Sequence, residues 1–262
     1  MNLKNYIKSL VSELQFKRLK NAAYKLKSIG RGGDLIKLAE IYGTDKWGIH
    51  FYIPHYLTHF KPFRNRKINL LEIGVGGYEN PKAGGESLRM WKRYFPLGKI
   101  YSIDIYDKSF NEENRIKIFK GSQVDELFLK EMLNEISPLD LIIDDGSHIN
   151  SHVIESFKIL FPFLKEGGIY VIEDTQTSYW PDYGGDSDDL ENKQTIMNYF
   201  KKITDGLNHK ELVNSDYQPT YFDEHIVSIH FYHNLIFIYK GKNDEESTKK
   251  MHPNFKMEDK QK

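Results

Sequence analysis

The chain contains no cysteine, and this absence excludes disulfides, thiolate metal sites and cysteine nucleophiles. It also lacks any apolar run close to the roughly 20 residues that a membrane-spanning helix needs. Its first residues carry too much charge for a signal peptide. We therefore expect a cytoplasmic protein with no stable membrane insertion.

The chain also lacks a formal net charge. Lysine and arginine together number 37, the same as aspartate and glutamate, so no net field draws the molecule towards nucleic acid. We expect no nucleic-acid partner, whereas a homo-oligomer stays open. Charge is concentrated in residues 1–31, where eight side chains are basic and one is acidic. This pattern is typical of a solvated amphipathic helix with inward-facing leucines, with membrane-surface contact or a partner helix as alternatives.

The length of 262 residues suits one α/β domain with a helical extension. We predict a basic helical extension over residues 1–42 and a single domain over residues 43–241. The remaining residues, 242–262, are almost wholly polar and are predicted to be disordered.

Apolar runs bounded by turn residues alternate with helical patterns, which is typical of a parallel sheet. The runs lie near residues 68–73, 99–105, 116–120, 139–144 and 168–173. Between the last two runs, apolar side chains recur at helical spacing from Val153 onwards. Gly167 and Gly168 are predicted to stop this helix.

Two further apolar runs, 226–232 and 235–239, flank a short turn at His233 and Asn234. Their spacing predicts an antiparallel hairpin. The predicted fold is therefore α/β, with five parallel strands closed by this hairpin.

A glycine turn follows the first predicted strand, where residues 70–77 read Leu-Leu-Glu-Ile-Gly-Val-Gly-Gly. The next strand ends at Asp104, whose carboxylate can accept hydrogen bonds from a ribose diol. A long loop separates Gly76 from the helix that begins near Glu86, unlike a dinucleotide fingerprint. A plain structural turn and a nicotinamide site remain alternatives, and an S-adenosylmethionine site is favoured.

Acidic residues end two strands that are predicted to be neighbours. The fourth ends with Asp144 and Asp145, and the fifth with Glu173 and Asp174. Four acids at one edge of a sheet would repel one another without a cation, and oxygen ligands suit Mg²⁺. The alternative is that single acids cap the following helices. His148, three residues after Asp145, is either an ordinary loop residue or a general base.

An aromatic stretch at 179–183 precedes a glycine- and aspartate-rich patch at 184–189. This composition predicts a mobile lid beside the site. A calcium loop is a weaker interpretation, because the spacing of its oxygen ligands is incomplete.

Four motifs together resemble a known family: LEIGVGG, IYSIDIYD, LDLIIDDGSH and YVIEDTQTSYW. They are similar to those of the S-adenosylmethionine- and Mg²⁺-dependent sugar O-methyltransferases of the mycinamicin and macrocin type. They also resemble the related cephalosporin hydroxylase-like proteins. The resemblance runs from about Gly43 to Gly241. It implies a Rossmann-like class I methyltransferase fold with a seven-stranded, mostly parallel sheet.

The resemblance also implies an activity and a site. The activity is metal-assisted methyl transfer from S-adenosylmethionine to a sugar hydroxyl of a glycan or small-molecule acceptor, with Mg²⁺ as second cofactor. Asp145, Glu173 and Asp174 would hold the metal, and His148 would act as base beside Asp145. The implied cofactor-binding residues are Tyr52, Glu72, Gly74, Gly76, Asp104, Ser122, Gln123, Asp125 and Asp144.

Two implied cofactor contacts have competing interpretations. Asp125 precedes a predicted helix and could cap it instead. His55 lies in the segment 43–56, which the resemblance places over the cofactor, and it could reach the cofactor or anchor the segment on the sheet.

Two other classes of protein stay open. An oxidoreductase would need a nicotinamide, or iron held by His148, His152 and Asp145, which leaves Glu173 and Asp174 without a role. A non-catalytic partner subunit would keep the fold, but the intact acids, base and glycines argue against it.

Overall fold

The computed structural model describes residues 11–136, 138–214 and 216–248. Within these ranges the helices are α1 (Glu13–Lys27), α2 (Leu35–Tyr42), α3 (Ile53–Phe60), α4 (Glu86–Tyr94), α5 (Glu126–Ile136), α6 (Asn150–Leu160), α7 (Ile196–Ile203) and α8 (Tyr221–His225). The strands are β1 (Asn69–Ile73), β2 (Lys99–Asp104), β3 (Ile116–Lys120), β4 (Leu139–Asp144), β5 (Leu164–Glu173), β6 (Ile226–Tyr232) and β7 (Leu235–Lys240).

The strands form one seven-stranded sheet in the order β3-β2-β1-β4-β5-β7-β6. The first five strands are parallel, and β7 runs antiparallel to both β5 and β6. The central strands are buried on both faces, because helices cover each side of a parallel sheet. The predicted class I methyltransferase fold with its antiparallel hairpin is confirmed.

The end of α6 differs from the prediction. The helix stops at Leu160, and a short 3₁₀ turn containing Pro162 leads into β5 from Leu164 onwards. Proline has no amide hydrogen and cannot continue an α-helix, so it ends the helix before the glycines are reached. Gly167 and Gly168 instead lie inside β5, where Gly167 has a φ of +76° and the pairing with β4 is irregular.

Two apolar layers enclose the sheet. On one face, α2, α3 and α4 pack their buried side chains against the sheet, with Tyr56 and Trp91 among the largest. On the other face, α5, α6 and α7 bury a second cluster around Phe157. Because Leu35 and Leu38 in α2 are fully buried in the first cluster, α2 packs as part of the folded domain. The boundary after residue 42 stays a prediction.

Helix α1 lies on the outside and buries no side chain. Leu14 and Leu19 are about half exposed, so the prediction that they lie near the inner face of the helix is wrong, and Leu10 lies outside the described residues. The helix contacts the domain through Tyr24, whose ring centroid is 4.9 Å from that of Tyr42, and through polar contacts such as the 3.1 Å ion pair between Lys20 Nζ and Glu86 Oε1.

Most of the predicted disordered tail, residues 249–262, lies outside the described residues. In the part of the chain that is described, no helix has both the length and the apolar character to cross a bilayer.

Candidate active site

A cavity of about 920 Å³ opens where the parallel strands end, beside the point at which the strand order reverses between β1 and β4. Ligands of open α/β sheets bind at this position, because successive connections there turn to opposite faces of the sheet. The predicted site residues that line the cavity are Gly74, Gly76, Asp104, Ser122, Gln123, Asp145, His148 and Asp174.

One wall of the cavity is the glycine turn after β1. Gly74 has a φ of +94°, and a Cβ there would collide with the carbonyl oxygen of Asp145. Only glycine therefore allows β1 to end this close to the end of β4. The amide of Val75 donates to Asp104 Oδ2 at 3.0 Å, so the predicted ribose-binding acid also supports the turn.

Lys108 forms hydrogen bonds to the loop that follows the glycine turn. Its side chain is 1% exposed, and its ammonium donates to the carbonyl oxygens of Tyr78 and Asn80. A buried ammonium needs hydrogen-bond acceptors, and these two carbonyls supply them. The loop is thus fixed on the rest of the domain.

A cluster of two carboxylates and an imidazole forms the opposite wall. Asp145, His148 and Asp174 each offer one ligand atom, and these atoms all lie within 4.8 Å of one another. His148 Nε2 is 3.6 Å from Asp174 Oδ2 and 3.9 Å from Asp145 Oδ1. Oxygen and imidazole donors at this spacing fit a divalent cation.

Two members of this cluster have an uncommon backbone conformation. His148 has a φ of +56° and Asp174 a φ of +55°, the left-handed region that non-glycine residues rarely adopt. Such residues persist where the surrounding structure holds them, and they concentrate at functional sites. The conformation of both residues therefore supports a functional role for this wall.

Lys46 is a member of the site that sequence reasoning missed. Its side chain is fully buried, and Nζ lies 2.7 Å from Asp145 Oδ2 and 2.7 Å from Glu173 Oε2. Glu72 Oε1 is 3.2 Å from the same nitrogen. Burial alone would lower the pKa of Lys46, but the three carboxylates raise it well above its ordinary value. The only indication in the sequence was the place of Lys46 within the segment 43–56.

Glu173, a predicted metal ligand, lies behind the cavity wall. Lys46 Nζ donates to both of its carboxylate oxygens, and the hydroxyl of Tyr56 donates to Oε1. Its side chain is 3% exposed. Glu173 is thus next to the Asp145, His148 and Asp174 cluster, but its carboxylate is already paired with the ammonium of Lys46.

Four predicted cofactor residues do not line the cavity, namely Glu72, Asp125, Asp144 and Tyr52. Glu72 is buried against Lys46, and burial raises its pKa to about 7. Asp125 caps α5 by accepting from the amide of Phe128 at 3.1 Å, the competing interpretation.

The third of these residues is Asp144. Its Oδ2 accepts from the Ser156 hydroxyl at 2.7 Å and the Tyr170 hydroxyl at 3.2 Å, and its Oδ1 from Gln123 Nε2 at 3.2 Å. Burial raises the pKa of Asp144 to about 6. Asp144 therefore supports the site through Gln123, whose Oε1 accepts from the amide of Ser147 at 2.8 Å.

The segment 43–56 covers one side of the cavity. Tyr52 does not line the cavity but donates to Asp174 Oδ1 at 2.6 Å, and its pKa is raised by burial and by this hydrogen bond. His50, which sequence reasoning did not select, lines the cavity with Nδ1 3.7 Å from the same oxygen. His55 stacks on Tyr232 with ring centroids 3.8 Å apart, so it anchors the segment.

The predicted lid supplies aromatic side chains to the mouth of the cavity. Trp180, about half exposed, and Tyr183 line it, with ring centroids 5.9 Å apart. The alternative iron site is not assembled, because His152 Nδ1 contacts the Ser147 hydroxyl at 3.1 Å and lies outside the cluster of Asp145, His148 and Asp174.

No family model matches the chain. The chain is 48% identical over 217 residues to mycinamicin VI 2''-O-methyltransferase of Micromonospora griseorubida, covering 82% of this chain and 54% of that protein. It is 50% identical over 214 residues to demethylmacrocin O-methyltransferase of Streptomyces fradiae, covering 81% and 54%. The chain thus spans about half the length of these relatives.

A solved structure of a methyltransferase is also similar to this chain. The MycE methyltransferase from the mycinamycin biosynthetic pathway, in complex with Mg and SAH, superposes with a TM-score of 0.80 at 47% identity. The match covers 82% of this chain and 56% of MycE. Over about four fifths of its length, the chain is therefore related in sequence and in fold to the sugar O-methyltransferases of the mycinamicin and macrocin type, as its motifs predict.

Proposed function

We propose that this protein is an S-adenosylmethionine-dependent O-methyltransferase that acts on a sugar hydroxyl with the help of Mg²⁺. The observation that carries the proposal is one cavity with a glycine turn on one wall and the Asp145, His148 and Asp174 cluster on the other. The relatives that share this fold are sugar O-methyltransferases, and MycE holds Mg and SAH.

S-adenosylmethionine supplies a methyl group on a sulfonium, which an oxygen nucleophile can attack directly. Gly74 and Gly76 let the main chain approach such a ligand closely. The Asp104 carboxylate lines the cavity and suits ribose hydroxyls. Ser122 and Gln123, which follow β3, would border the adenine.

A divalent cation supplies positive charge that favours the ionised form of a nearby hydroxyl. Asp145 and Asp174 would hold it from the cavity wall. Glu173, the third predicted ligand, would complete the set from the buried side through Oε2, which has a second lone pair besides the one that Lys46 engages. Its Oε1 already accepts from both Lys46 and Tyr56. The donor set is all oxygen, as Mg²⁺ requires.

His148 would remove the proton from the attacking hydroxyl. Its Nε2 faces Asp145 and Asp174, whose negative charges stabilise the imidazolium that forms. The reaction needs the hydroxyl aligned with the bond from sulfur to the methyl carbon, and the two cavity walls would provide that alignment.

The acceptor would enter between the lid and the segment 43–56. Trp180 and Tyr183 offer aromatic faces that suit the apolar side of a sugar ring, while His50 and Asp174 offer polar contacts. We infer a glycan, a sugar precursor or a glycosylated metabolite. Self-association, a cytoplasmic location and the lack of a nucleic-acid partner stay predictions from composition.

Methyl transfer from labelled S-adenosylmethionine to sugar nucleotides, oligosaccharides and glycosylated macrolides tests the proposal. With Mg²⁺ present we expect a labelled product from at least one acceptor. His148→Ala should lose transfer by about 100-fold or more while binding S-adenosylhomocysteine as wild type does. Full turnover by this variant, or by wild type in excess chelator, would contradict the mechanism.

A further inference from the structure

Lys46 has three acidic neighbours, each at the end of a different strand. Its ammonium reaches Glu72 at the end of β1, Asp145 just after β4 and Glu173 at the end of β5. Nζ donates hydrogen bonds to Asp145 Oδ2 and to both carboxylate oxygens of Glu173, whereas Glu72 contributes an ion pair at 3.2 Å. The side chain therefore links the segment between α2 and α3 to three neighbouring strands.

We propose that Lys46 is a positioning residue for the metal ligands, holding Glu173 and the inner oxygen of Asp145 so that the outer oxygen of Asp145 faces the cavity. This inference rests on the proposed function. Asp145 Oδ2 is 2.7 Å from Lys46 Nζ, whereas Oδ1 is on the side of His148. One carboxylate thus has an inner oxygen bound by lysine and an outer oxygen available to a cation.

Burial makes this role specific to the lysine. The side chains of Lys46, Glu72 and Glu173 are all at most 3% exposed, so water cannot take over the contacts. Without the ammonium, Asp145 and Glu173 would repel each other and Asp145 could turn into the cavity. Removal of a group that orients a metal ligand in this way typically weakens metal binding by about 10- to 100-fold.

A different role for Lys46 predicts the opposite result. If its positive charge only opposed a cation bound by the same carboxylates, removing that charge would strengthen cation binding. A positioning role predicts weaker binding. The sign of the change in metal affinity therefore separates the two roles.

The test uses the whole chain, without cofactor or acceptor, and measures the dissociation constant for Mn²⁺ by electron paramagnetic resonance of the free ion. The main variant is the double substitution Lys46→Met with Glu72→Gln, which removes one positive and one negative buried charge together. Lys46→Arg keeps the charge but replaces the compact ammonium with a planar group. Denaturant unfolding of each variant checks that it folds.

Two controls separate positioning from general damage. Glu72→Gln alone shows the effect of losing the buried acid. Lys108→Met removes another buried lysine, which holds main-chain carbonyls and touches none of the three predicted metal ligands. Both controls should bind Mn²⁺ nearly as wild type does.

We expect the double variant and Lys46→Arg to fold and to bind Mn²⁺ about 10- to 100-fold more weakly. Wild-type or tighter binding by either folded variant would overturn the role of Lys46. If the double variant does not fold, Lys46→Arg decides. Failure of wild type to bind Mn²⁺ would instead overturn the metal site of the proposed function, and this inference with it.

Discussion

The two walls of the cavity are built in different ways. The glycine turn at residues 74–77 presents main chain, and its shape follows from the positive φ of Gly74, Gly76 and Gly77, which are close together in the chain. The opposite wall presents side chains from β4, β5 and the segment 43–56, which are far apart in the chain. The proposed cofactor side is therefore encoded locally, whereas the proposed metal side exists only after the sheet has formed.

The largest effect is expected from a substitution in the side-chain wall. Asp174→Asn removes a carboxylate that faces His148 and accepts from Tyr52. Methyl transfer should fall by about 10²- to 10³-fold, because the variant loses a proposed ligand of the cation, and the cation would stabilise the charge that develops in the reaction. The dissociation constant for S-adenosylhomocysteine, measured by calorimetry, should stay within about a few-fold of the wild-type value. A parallel loss of cofactor affinity would show that the two walls are not separable.

A buried histidine outside the cavity gives a pH-dependent effect of intermediate size. His59 lies between the hydroxyls of Tyr239 at 2.6 Å and Tyr232 at 2.9 Å. Burial, with His230 and His55 nearby, lowers its pKa to about 4. The folded state thus holds neutral His59 while the unfolded state takes up a proton below pH of about 6.5.

The free energy of unfolding should therefore fall as the pH drops from about 6.5 to 4, by about 2 to 3 kcal/mol from this group. His59→Phe should flatten that slope, measured by urea unfolding at several pH values. Wild type and variant with the same slope would contradict the assignment. Methyl transfer by this variant and by wild type in acid can also be compared. The comparison shows whether activity is lost at the site or because the protein unfolds.

The main-chain wall is tested by a single methyl group. Gly77 has a φ of +78°, and a Cβ there would collide with Ala83. Gly77→Ala should cost about 1 to 3 kcal/mol and weaken binding of S-adenosylhomocysteine about tenfold, with Mn²⁺ affinity unchanged. Gly167→Ala is the matched control, since its φ is +76° and no atom lies within 4 Å of the added Cβ. An equal loss of cofactor affinity in both variants would refute a local role for the turn.

The smallest expected effect concerns the acceptor. Trp180→Ala should raise the KM for a sugar acceptor by up to about tenfold, because one aromatic face contributes about 0.5 to 1.5 kcal/mol. Steady-state kinetics measures this, and cofactor and Mn²⁺ affinities should not change. An unchanged KM with a lower kcat would place Trp180 outside the acceptor site.

Particular residues show how far sequence reasoning reached. The acids after β4 and β5 could be predicted, because strand ends of a parallel sheet meet at one edge. The pattern of strand ends alone could not distinguish Asp144 from Asp145, since the direction of each side chain depends on where the strand ends. Only the family resemblance assigned Asp145 to the metal and Asp144 to the cofactor. The structure turns Asp144 towards Ser156 and Tyr170, and Asp145 towards the cavity.

By itself, the sequence determined the strand alternation, the hairpin around Asn234 and the glycine turn, because each depends on neighbouring residues and on main-chain conformation. Only the tertiary structure decided that Lys46 lies among three acids and that Glu173 is behind the wall. The physical reason is range. A turn is set by the preferences of consecutive residues, whereas a buried ion pair depends on which distant segments the packed sheet brings together.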